Sequence, residues 1–355
     1  MSTVYIISDK GKLSKEGERL VFLQIDGTKQ ILFPFKIEIL VLIGNVSISG
    51  DAFRLLSRHK IPVTFLSSNG RFNGKFVYGE SKNVFLRQKQ YLISADESES
   101  LEIAKMIAVG KMKNQVSFMQ RIKRKNDTTE EIENAIVKTK KIIEDAQNAL
   151  SVESLRGYEG NASRLYFDVF RFNLLPEWAD FPKRSRNPPE TNVNAVLSFL
   201  YTLLSYRVEA AIESAGLDSM VGNLHAMNYG ENSLVFDIIE EFRTPIADTV
   251  CCSLFNLGQL SRDDFREVDF SQDSEDYPLD DERSDDSEPH KMGILLTKDG
   301  MKATISAFEK KMQSLVLYEP EKERISYQKI IFSQVLQYKR YISGEQKEYT
   351  PFFGK

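Results

Sequence analysis

The chain has 355 residues, of which 41% are hydrophobic and 28% charged, and its net charge at pH 7 is −4. This length accommodates two domains with sizeable cores. The start of the chain carries no basic region followed by an apolar run, and the longest apolar segment, residues 37–43, is far shorter than the roughly 20 residues of a membrane span. We therefore expect a soluble cytoplasmic protein without a membrane segment. The two cysteines, Cys251 and Cys252, are adjacent, which excludes a disulfide framework and a spaced metal motif.

The charge is distributed unevenly along the chain. Residues 263–288 contain thirteen acidic residues and two arginines, so this segment carries −11 and the rest of the chain carries +7. A basic body with clusters at residues 121–125 and 183–186 is compatible with a polyanionic partner such as DNA. Solvated helix faces produce the same pattern, so composition alone leaves both interpretations open.

The first 85 residues predict a β-rich domain with a single helix. Short runs rich in Val, Ile, Phe and Tyr alternate with turn signals such as Asp26-Gly27 and Asn69-Gly70. The predicted strands cover residues 3–7, 20–24, 29–33, 38–43, 63–67 and 75–77. Residues 49–58 predict a short helix that is apolar at positions 52, 55 and 56.

Residues 86–355 predict a larger, mainly α-helical domain, which makes the fold class α+β. A capping signature at residues 127–131 precedes an amphipathic helix through residue 149, and Pro188-Pro189 precede an apolar helix over residues 193–212. A strand is expected near residues 294–296. The acidic segment, at about 263–290, has too little apolar surface to order itself and predicts a disordered insertion.

The most informative stretch runs from Gly222 to Arg243. His225 precedes a predicted helix on which Asp237, Glu240 and Glu241 form one flank, expected to be exposed or to face a cleft. One imidazole with several carboxylates suits Mn²⁺ or Mg²⁺. Each of these residues, taken singly, has an ordinary interpretation as a packed histidine or a polar helix face, and only the combination indicates a site.

Upstream, Glu159 lies between Gly157 and Gly160, an arrangement predicted to admit close backbone approach and to project a carboxylate from a helix end. Phosphate-binding loops, dinucleotide fingerprints, Gly-x-Ser-x-Gly elbows and His-Glu-x-x-His helices are all lacking in the sequence. Metal-assisted phosphoryl chemistry is the reaction type that these motifs leave open.

Three ordered motifs carry a family resemblance across nearly the whole chain. They are GYEGNASRLYF around Glu159, RSRNPPETNVNAVLSFLYTLL over residues 184–204, and GNLHAMNYGENSLVFDIIEEFRTPIAD over residues 222–248. The sequence resembles the Cas1 family of CRISPR-associated proteins, the integrases of spacer acquisition. The resemblance implies that Glu159, His225 and Glu240 bind a divalent metal and are the catalytic residues.

The resemblance further implies a DNA integrase and endonuclease that inserts short duplexes into a repeat array. It implies a homodimer joined through the β-rich domains, and two such dimers flanking a dimer of the small Cas2 partner. Asp237 and Glu241 are expected to hydrogen-bond ligands or waters rather than to bind metal. Plausible phosphate contacts are Arg164, Lys183, Arg184, Arg186 and Arg243.

Two features depart from the family pattern: Glu231 stands where relatives are frequently basic, and the acidic segment is longer than a typical loop of the family. Two other functions stay open at this point. The protein could be a non-catalytic DNA-binding protein with a structural or vestigial metal site, or a generic metallonuclease without integration activity.

Overall fold

The structure is a computed structural model that describes residues 2–76, 78, 83–125, 129–186, 188–270 and 292–354. The chain divides into two compact units. One unit comprises Met1–Glu80 with Val268–Met292, and the other comprises Ser81–Glu267 with Gly293–Lys355.

The first unit is built on a six-stranded mixed sheet with the strand order β3-β2-β1-β4-β5-β6. Its strands are β1 (Ser2–Glu16), β2 (Arg19–Gln24), β3 (Lys29–Leu32), β4 (Ile37–Ile48), β5 (Val63–Leu66) and β6 (Phe72–Phe76). The long central strands β1 and β4 run parallel to each other. Helix α1 (Gly50–Arg58) buries Ala52, Leu55 and Leu56 in a common core with the apolar side chains of the sheet.

The six predicted strands and the single helix are confirmed, but β1 extends well beyond the predicted residues 3–7. The added residues, 8–16, are largely polar and carry no apolar run. They remain extended because β1 pairs with β2 along one edge and with β4 along the other, so partners distant in sequence supply the backbone hydrogen bonds.

The second unit is mainly helical. Its helices are α2 (Val84–Ala95), α3 (Glu97–Lys123), α4 (Thr129–Gln147), α5 (Val152–Phe170), α6 (Asn192–Ala215), α7 (Ser233–Phe242), α8 (Thr249–Asn256), α9 (Lys298–Gln313) and α10 (Tyr327–Ser343). Several helices begin at a polar residue whose side chain accepts a backbone N–H of the first turn, as Ser151 does for α5 and Thr191 for α6. A β-rich region followed by a helical region confirms the predicted α+β class.

A π-helical segment, Arg243–Asp248, joins α7 to α8. Pro245 lies inside it and has no N–H to donate, which interrupts the regular i to i−4 ladder where the helix widens. The segment therefore changes the angular spacing of the side chains from Arg243 onward relative to a regular α-helix.

The acidic segment is ordered at its start, contrary to expectation. Residues Arg262–Asp264 form a 3₁₀ turn, and β7 (Phe265–Asp269) pairs with β8 (Met292–Leu296) in a two-stranded ribbon. Residues 271–291, the rest of the predicted insertion, lie outside the described residues. A hairpin of β9 (Leu315–Tyr318) and β10 (Glu323–Ser326) was not predicted.

Within the described ranges, α6 is the one helix long and apolar enough to cross a membrane, with a mean hydropathy of 1.3. It is longer than residues 37–43, the longest apolar run noted in the sequence. Buried residues make up 67% of its apolar window. Its composition is therefore explained by its place in the core of the helical unit.

Candidate active site

Helix α7 lies at the centre of the site. It packs against α3 and α6, and all of its residues except Phe236 are buried. The prediction of an exposed or cleft-facing stripe is wrong, because Asp237, Glu240 and Glu241 are each at most 1% exposed. The charged partners of these carboxylates come from other elements, and the period of one helix cannot indicate them.

Asp237 fixes the loop that carries His225. One oxygen of its carboxylate accepts the backbone N–H groups of Asn223 and Leu224 at 2.6 and 3.0 Å. The other oxygen accepts the backbone N–H of His225 at 2.9 Å and lies 2.8 Å from its Nδ1. Because an ionised carboxylate only accepts, Nδ1 must be the donor, which leaves Nε2 of a neutral imidazole as an acceptor.

Gly222 permits this arrangement by close approach. A Cβ at this position would lie 2.7 Å from the carbonyl carbon of Ser233, at the start of α7. The loop can therefore pass directly against the helix and direct three consecutive N–H groups at Asp237. From α5, Arg156 Nε donates to the Leu224 carbonyl at 2.6 Å and holds the loop from the other side.

Two carboxylates meet around a lysine ammonium. Lys111 Nζ, from α3, lies 2.5 Å from Glu159 Oε1 and 2.7 Å from Glu240 Oε2. Ser163, one turn after Glu159 on α5, donates to the same Glu159 oxygen at 2.7 Å. His225 Nε2 is 3.8 Å from Glu240 Oε1, which also accepts from Arg243 Nη1 at 2.6 Å. We call Lys111, Glu159, His225, Glu240 and Arg243 the acidic cluster.

Positive charge dominates the electrostatics of the acidic cluster. Burial raises the pKa of Glu240, but the charges of Arg243 and Lys111 outweigh it and hold the pKa at about 2. For Glu159 the same balance of burial against Lys111 lowers the pKa of the carboxyl. Both carboxylates are therefore ionised at neutral pH, although both are largely removed from water.

Behind the cluster, Asp248 and Tyr201 support Arg243. The Asp248 carboxylate accepts the hydroxyls of Tyr166 and Tyr201 at 2.6 and 2.7 Å. The Tyr201 ring has the Arg243 guanidinium 5.0 Å and the Arg184 guanidinium 5.3 Å from its centroid. These cation–π contacts fix Arg243 in the position from which it reaches Glu240.

The adjacent Glu241 points elsewhere. Its carboxylate accepts Gln334 Nε2 at 2.8 Å, the backbone N–H of Phe352 at 2.7 Å and the hydroxyl of Tyr349. We call these four residues the tail anchor, because they fix the C-terminal segment to α7. Burial without a cation raises the pKa of Glu241 to about 7, although the three hydrogen bonds oppose the shift. Among the described residues, the hydrogen bonds of the Glu241 carboxylate go to the tail anchor and not to Glu159, His225 or Glu240, whereas the Asp237 carboxylate contacts His225.

The donor set of the acidic cluster fits a divalent cation. The ionised carboxylates of Glu159 and Glu240 share the Lys111 ammonium, and His225 Nε2 lies beside Glu240. Carboxylate oxygens and an imidazole nitrogen are ligands that a divalent cation accepts. Glu240 Oε2 is buried and has no hydrogen bond of good geometry. Its contact with Lys111 Nζ is an ion pair that is poorly aligned for a hydrogen bond. Within the described ranges no group of three His, Cys, Asp or Glu side chains is arranged to hold a metal as it stands, and the ammonium of Lys111 lies between the two carboxylates.

The predicted phosphate contacts fall into two groups. Arg164 and Lys183 are exposed, with loose ion pairs to Asp168 at 3.5 Å and Glu190 at 3.9 Å, and Arg186 is exposed as well. The guanidinium of Arg184 instead donates to Asn194 and Ser198 inside the protein. Arg243, with 15% of its side chain exposed, belongs to the acidic cluster.

Glu159 does not project from a helix end, and the role predicted for its two neighbouring glycines is not observed. Helix α5 is continuous through Gly157 and Gly160, and a Cβ at either position would meet no atom within 4 Å. Sequence reasoning missed Lys111, Ser163 and the Asp248 network. Ser163 lies four residues after Glu159 and could have been found by helical spacing, but no local signal distinguishes Lys111 from other helix lysines.

Comparisons with known proteins identify the family of this chain. The sequence profile of the family "CRISPR associated protein Cas1" matches residues 4–273. A CRISPR-associated endonuclease Cas1 of Thermus thermophilus is 30% identical over 354 residues, covering 99% of this chain and 97% of that one. A casposase bound to integration product has a TM-score of 0.81 at 22% identity, covering 99% of this chain and 93% of that one. A chain of a Cas6-RT-Cas1–Cas2 complex has a TM-score of 0.80 at 23% identity, covering 100% of this chain and 36% of that one.

The fold, a β-rich unit followed by a helical unit, is thus shared with a casposase and with a chain of a Cas6-RT-Cas1–Cas2 complex. The chain belongs to the Cas1 family of CRISPR-associated proteins. The resemblance predicted from the three motifs is confirmed.

Proposed function

We propose that this protein is a metal-dependent DNA integrase and endonuclease that inserts short duplex fragments into a CRISPR repeat array. The observation that carries the proposal is that Glu159 and Glu240 share one cation, the Lys111 ammonium, while His225 Nε2 lies 3.8 Å from Glu240. Relatives that span the whole chain are CRISPR-associated endonucleases, and a casposase of the same fold is bound to an integration product.

The proposed reaction is transesterification of a phosphodiester. The 3′-hydroxyl of the incoming strand attacks the phosphorus of the target, a new P–O bond forms as the old one breaks, and the departing 3′-oxygen takes up a proton. Because one phosphodiester replaces another, no nucleotide hydrolysis is required. Glu159, His225 and Glu240 would hold Mg²⁺ or Mn²⁺, which supplies Lewis-acid stabilisation of the charge that develops on the phosphate oxygens.

The protein's own groups prepare the site for this reaction. Asp237 holds Nδ1 of His225 protonated, so that Nε2 faces the acidic cluster. Arg243 keeps Glu240 ionised and oriented, and Ser163 orients Glu159. Arg164, Lys183 and Arg186, all exposed, would contact DNA phosphates, whereas Arg184 would act from inside by fixing Tyr201.

The proposed assembly is a homodimer joined through the β-rich unit, with two dimers flanking a Cas2 dimer on double-stranded DNA in the cytoplasm. Apolar side chains exposed on and beside β2 and β3 support the dimer contact. They are Leu23, Ile25, Ile31, Phe33 and Phe35. A similar fold in a Cas6-RT-Cas1–Cas2 complex supports Cas2 as the partner.

A strand-transfer assay tests the proposal. Purified protein and its Cas2 partner are mixed with a labelled duplex and a supercoiled plasmid that carries a repeat, with Mn²⁺ or with EDTA. We expect covalent joining of label to plasmid in Mn²⁺ and none in EDTA. Nicking without joining would indicate a generic metallonuclease, and binding without either product would indicate a non-catalytic DNA-binding protein.

A further inference from the structure

The ammonium of Lys111 contacts both carboxylates of the acidic cluster, Glu159 and Glu240. Lys111 lies in the middle of α3 and is 8% exposed, and Nζ is 2.5 Å from Glu159 and 2.7 Å from Glu240. A buried ammonium is costly to desolvate, and two anionic contacts offset that cost. The two carboxylates, in turn, would repel each other in a buried site without a cation between them.

The ion pair of Lys111 with Glu240 is short but poorly directed. Glu240 Oε2 has no hydrogen bond of good geometry, although Nζ is within ion-pair distance. Arg243, by comparison, makes a directed bond to Glu240 Oε1 at 2.6 Å and is fixed from behind by Tyr201. Of the two cations, Lys111 makes the less directed contact with Glu240 and has the more flexible side chain.

We propose that Lys111 is an internal counter-cation that a divalent metal must displace from between Glu159 and Glu240. In the metal-free protein it keeps the two carboxylates together, and during metal loading it competes for the same oxygens. Lys111 therefore stabilises the apo site and raises the metal concentration at which the site fills. This inference rests on the proposed function, because it takes the acidic cluster as the metal site.

Two consequences distinguish displacement from an accessory role. Removing the ammonium should make Mn²⁺ bind more tightly, because the competing charge is lost and the unbalanced carboxylates gain from a new cation. The same removal should destabilise the metal-free protein, and Mn²⁺ should restore the lost stability. A lysine that assisted metal binding, by holding the two carboxylates in place for the metal, would give the opposite first result, because its removal would weaken Mn²⁺ binding.

The test is Mn²⁺ binding to the intact chain, measured from the electron paramagnetic resonance signal of free Mn²⁺ and by calorimetry. Lys111→Met removes the charge, and Lys111→Gln removes it while retaining a hydrogen-bond donor for Glu159. The control is Lys105→Gln on the same helix, which changes the net charge equally but removes only the pair with Glu102 at 2.9 Å. We expect a dissociation constant about tenfold lower or more in both Lys111 variants, and no change in the control.

An unchanged or higher dissociation constant in the Lys111 variants would overturn the inference. If both variants fold only when Mn²⁺ is present, the result supports it, because the metal has replaced the ammonium. If both fail to fold even in saturating Mn²⁺, the inference is wrong. A wild-type protein that binds no Mn²⁺, with Glu159→Gln behaving identically, would instead contradict the proposed function itself.

Discussion

Glu240 and Glu241 are adjacent, equally buried and chemically identical, yet they belong to two regions with opposite environments. Glu240 lies in the acidic cluster, where the charges of Lys111 and Arg243 surround it. Glu241 lies in the tail anchor, where only neutral donors reach it. A single residue step along the helix thus separates a carboxylate held ionised by cations, with a pKa of about 2, from one whose pKa burial raises to about 7.

Burial alone therefore does not indicate what a carboxylate does. Successive residues on a helix diverge by about 100°, so α7 necessarily directs the two side chains to different neighbours. The neighbours of Glu240 are cations, which a metal ion can replace beside a carboxylate. The neighbours of Glu241 are a backbone N–H, an amide and a phenol from residues 334–352, which have no such exchange partner.

The largest effect is expected on the side of the acidic cluster. His225→Ala should reduce strand transfer by roughly 10²–10³-fold or more, because it removes a donor of the cation site. The melting temperature should change little, because 35% of the His225 side chain is exposed and its main partner, Asp237, keeps three backbone donors. Joining assays and thermal melts measure the two quantities. His59→Ala, an exposed histidine of the β-rich unit, is the control, and equal activity of both variants would remove His225 from the site.

On the side of the tail anchor the expected effect is on folding. Glu241→Ala should lower the free energy of unfolding by roughly 2–4 kcal/mol, because it leaves three buried donors without an acceptor. Urea denaturation measures the loss. The control is Glu102→Ala, which removes an exposed carboxylate paired with Lys105. It should change the free energy of unfolding by less than about 0.5 kcal/mol. A Glu241 variant as stable as the wild type would show that the C-terminal segment is not held by this residue.

A smaller effect should appear in the pH dependence of stability in EDTA. The pKa of Glu241 in the folded protein is raised from 4.5 to about 7. Its contribution to the free energy of unfolding is therefore fully present below about pH 4.5 and is lost as the pH rises to about 7. Tyr349 and Tyr318 are the titratable groups that face it, and both ionise far above this range. Glu240 has the opposite sign: its contribution is present above about pH 4.5 and is lost as the pH falls towards 2.

Urea denaturation of the wild type and Glu241→Gln between pH 4.5 and 7 isolates the first contribution. We expect the stability of the wild type relative to the variant to decline over this range. A difference that stays constant with pH would show that the three hydrogen bonds, rather than burial, set the ionisation of Glu241.

The sequence predicted elements well where the pattern is local. The strands around the turns at Asp26-Gly27 and Asn69-Gly70, the helix beginning at Ser49 and the apolar helix α6 were all visible as short-range periodicity. The second half of β1 and the β9–β10 hairpin were not, because their extended conformation depends on pairing with other strands. Strand pairing across the chain leaves little trace in the residues themselves.

Most residues of the acidic cluster could be singled out from the sequence, but Lys111 could not. The three motifs indicated Glu159, His225 and Glu240, and helical spacing indicated Asp237. Lys111 lies 48 residues before Glu159 in an ordinary helix, so only the tertiary packing of α3 against α5 and α7 reveals it. Helical periodicity likewise assigned the carboxylates of α7 to a polar face, because the pattern within one helix does not reveal cations that other helices bring to it.

The most direct test of the division between the two carboxylates is a Mn²⁺ titration of strand transfer by Glu240→Gln and Glu241→Gln, normalised to the folded fraction of each protein. If Glu240 belongs to the cation site and Glu241 to the tail anchor, the first variant stays inactive at every Mn²⁺ concentration, and the second approaches the wild-type rate. Rescue of Glu240→Gln by excess Mn²⁺, together with loss of activity in folded Glu241→Gln, would contradict the account and reverse the two assignments.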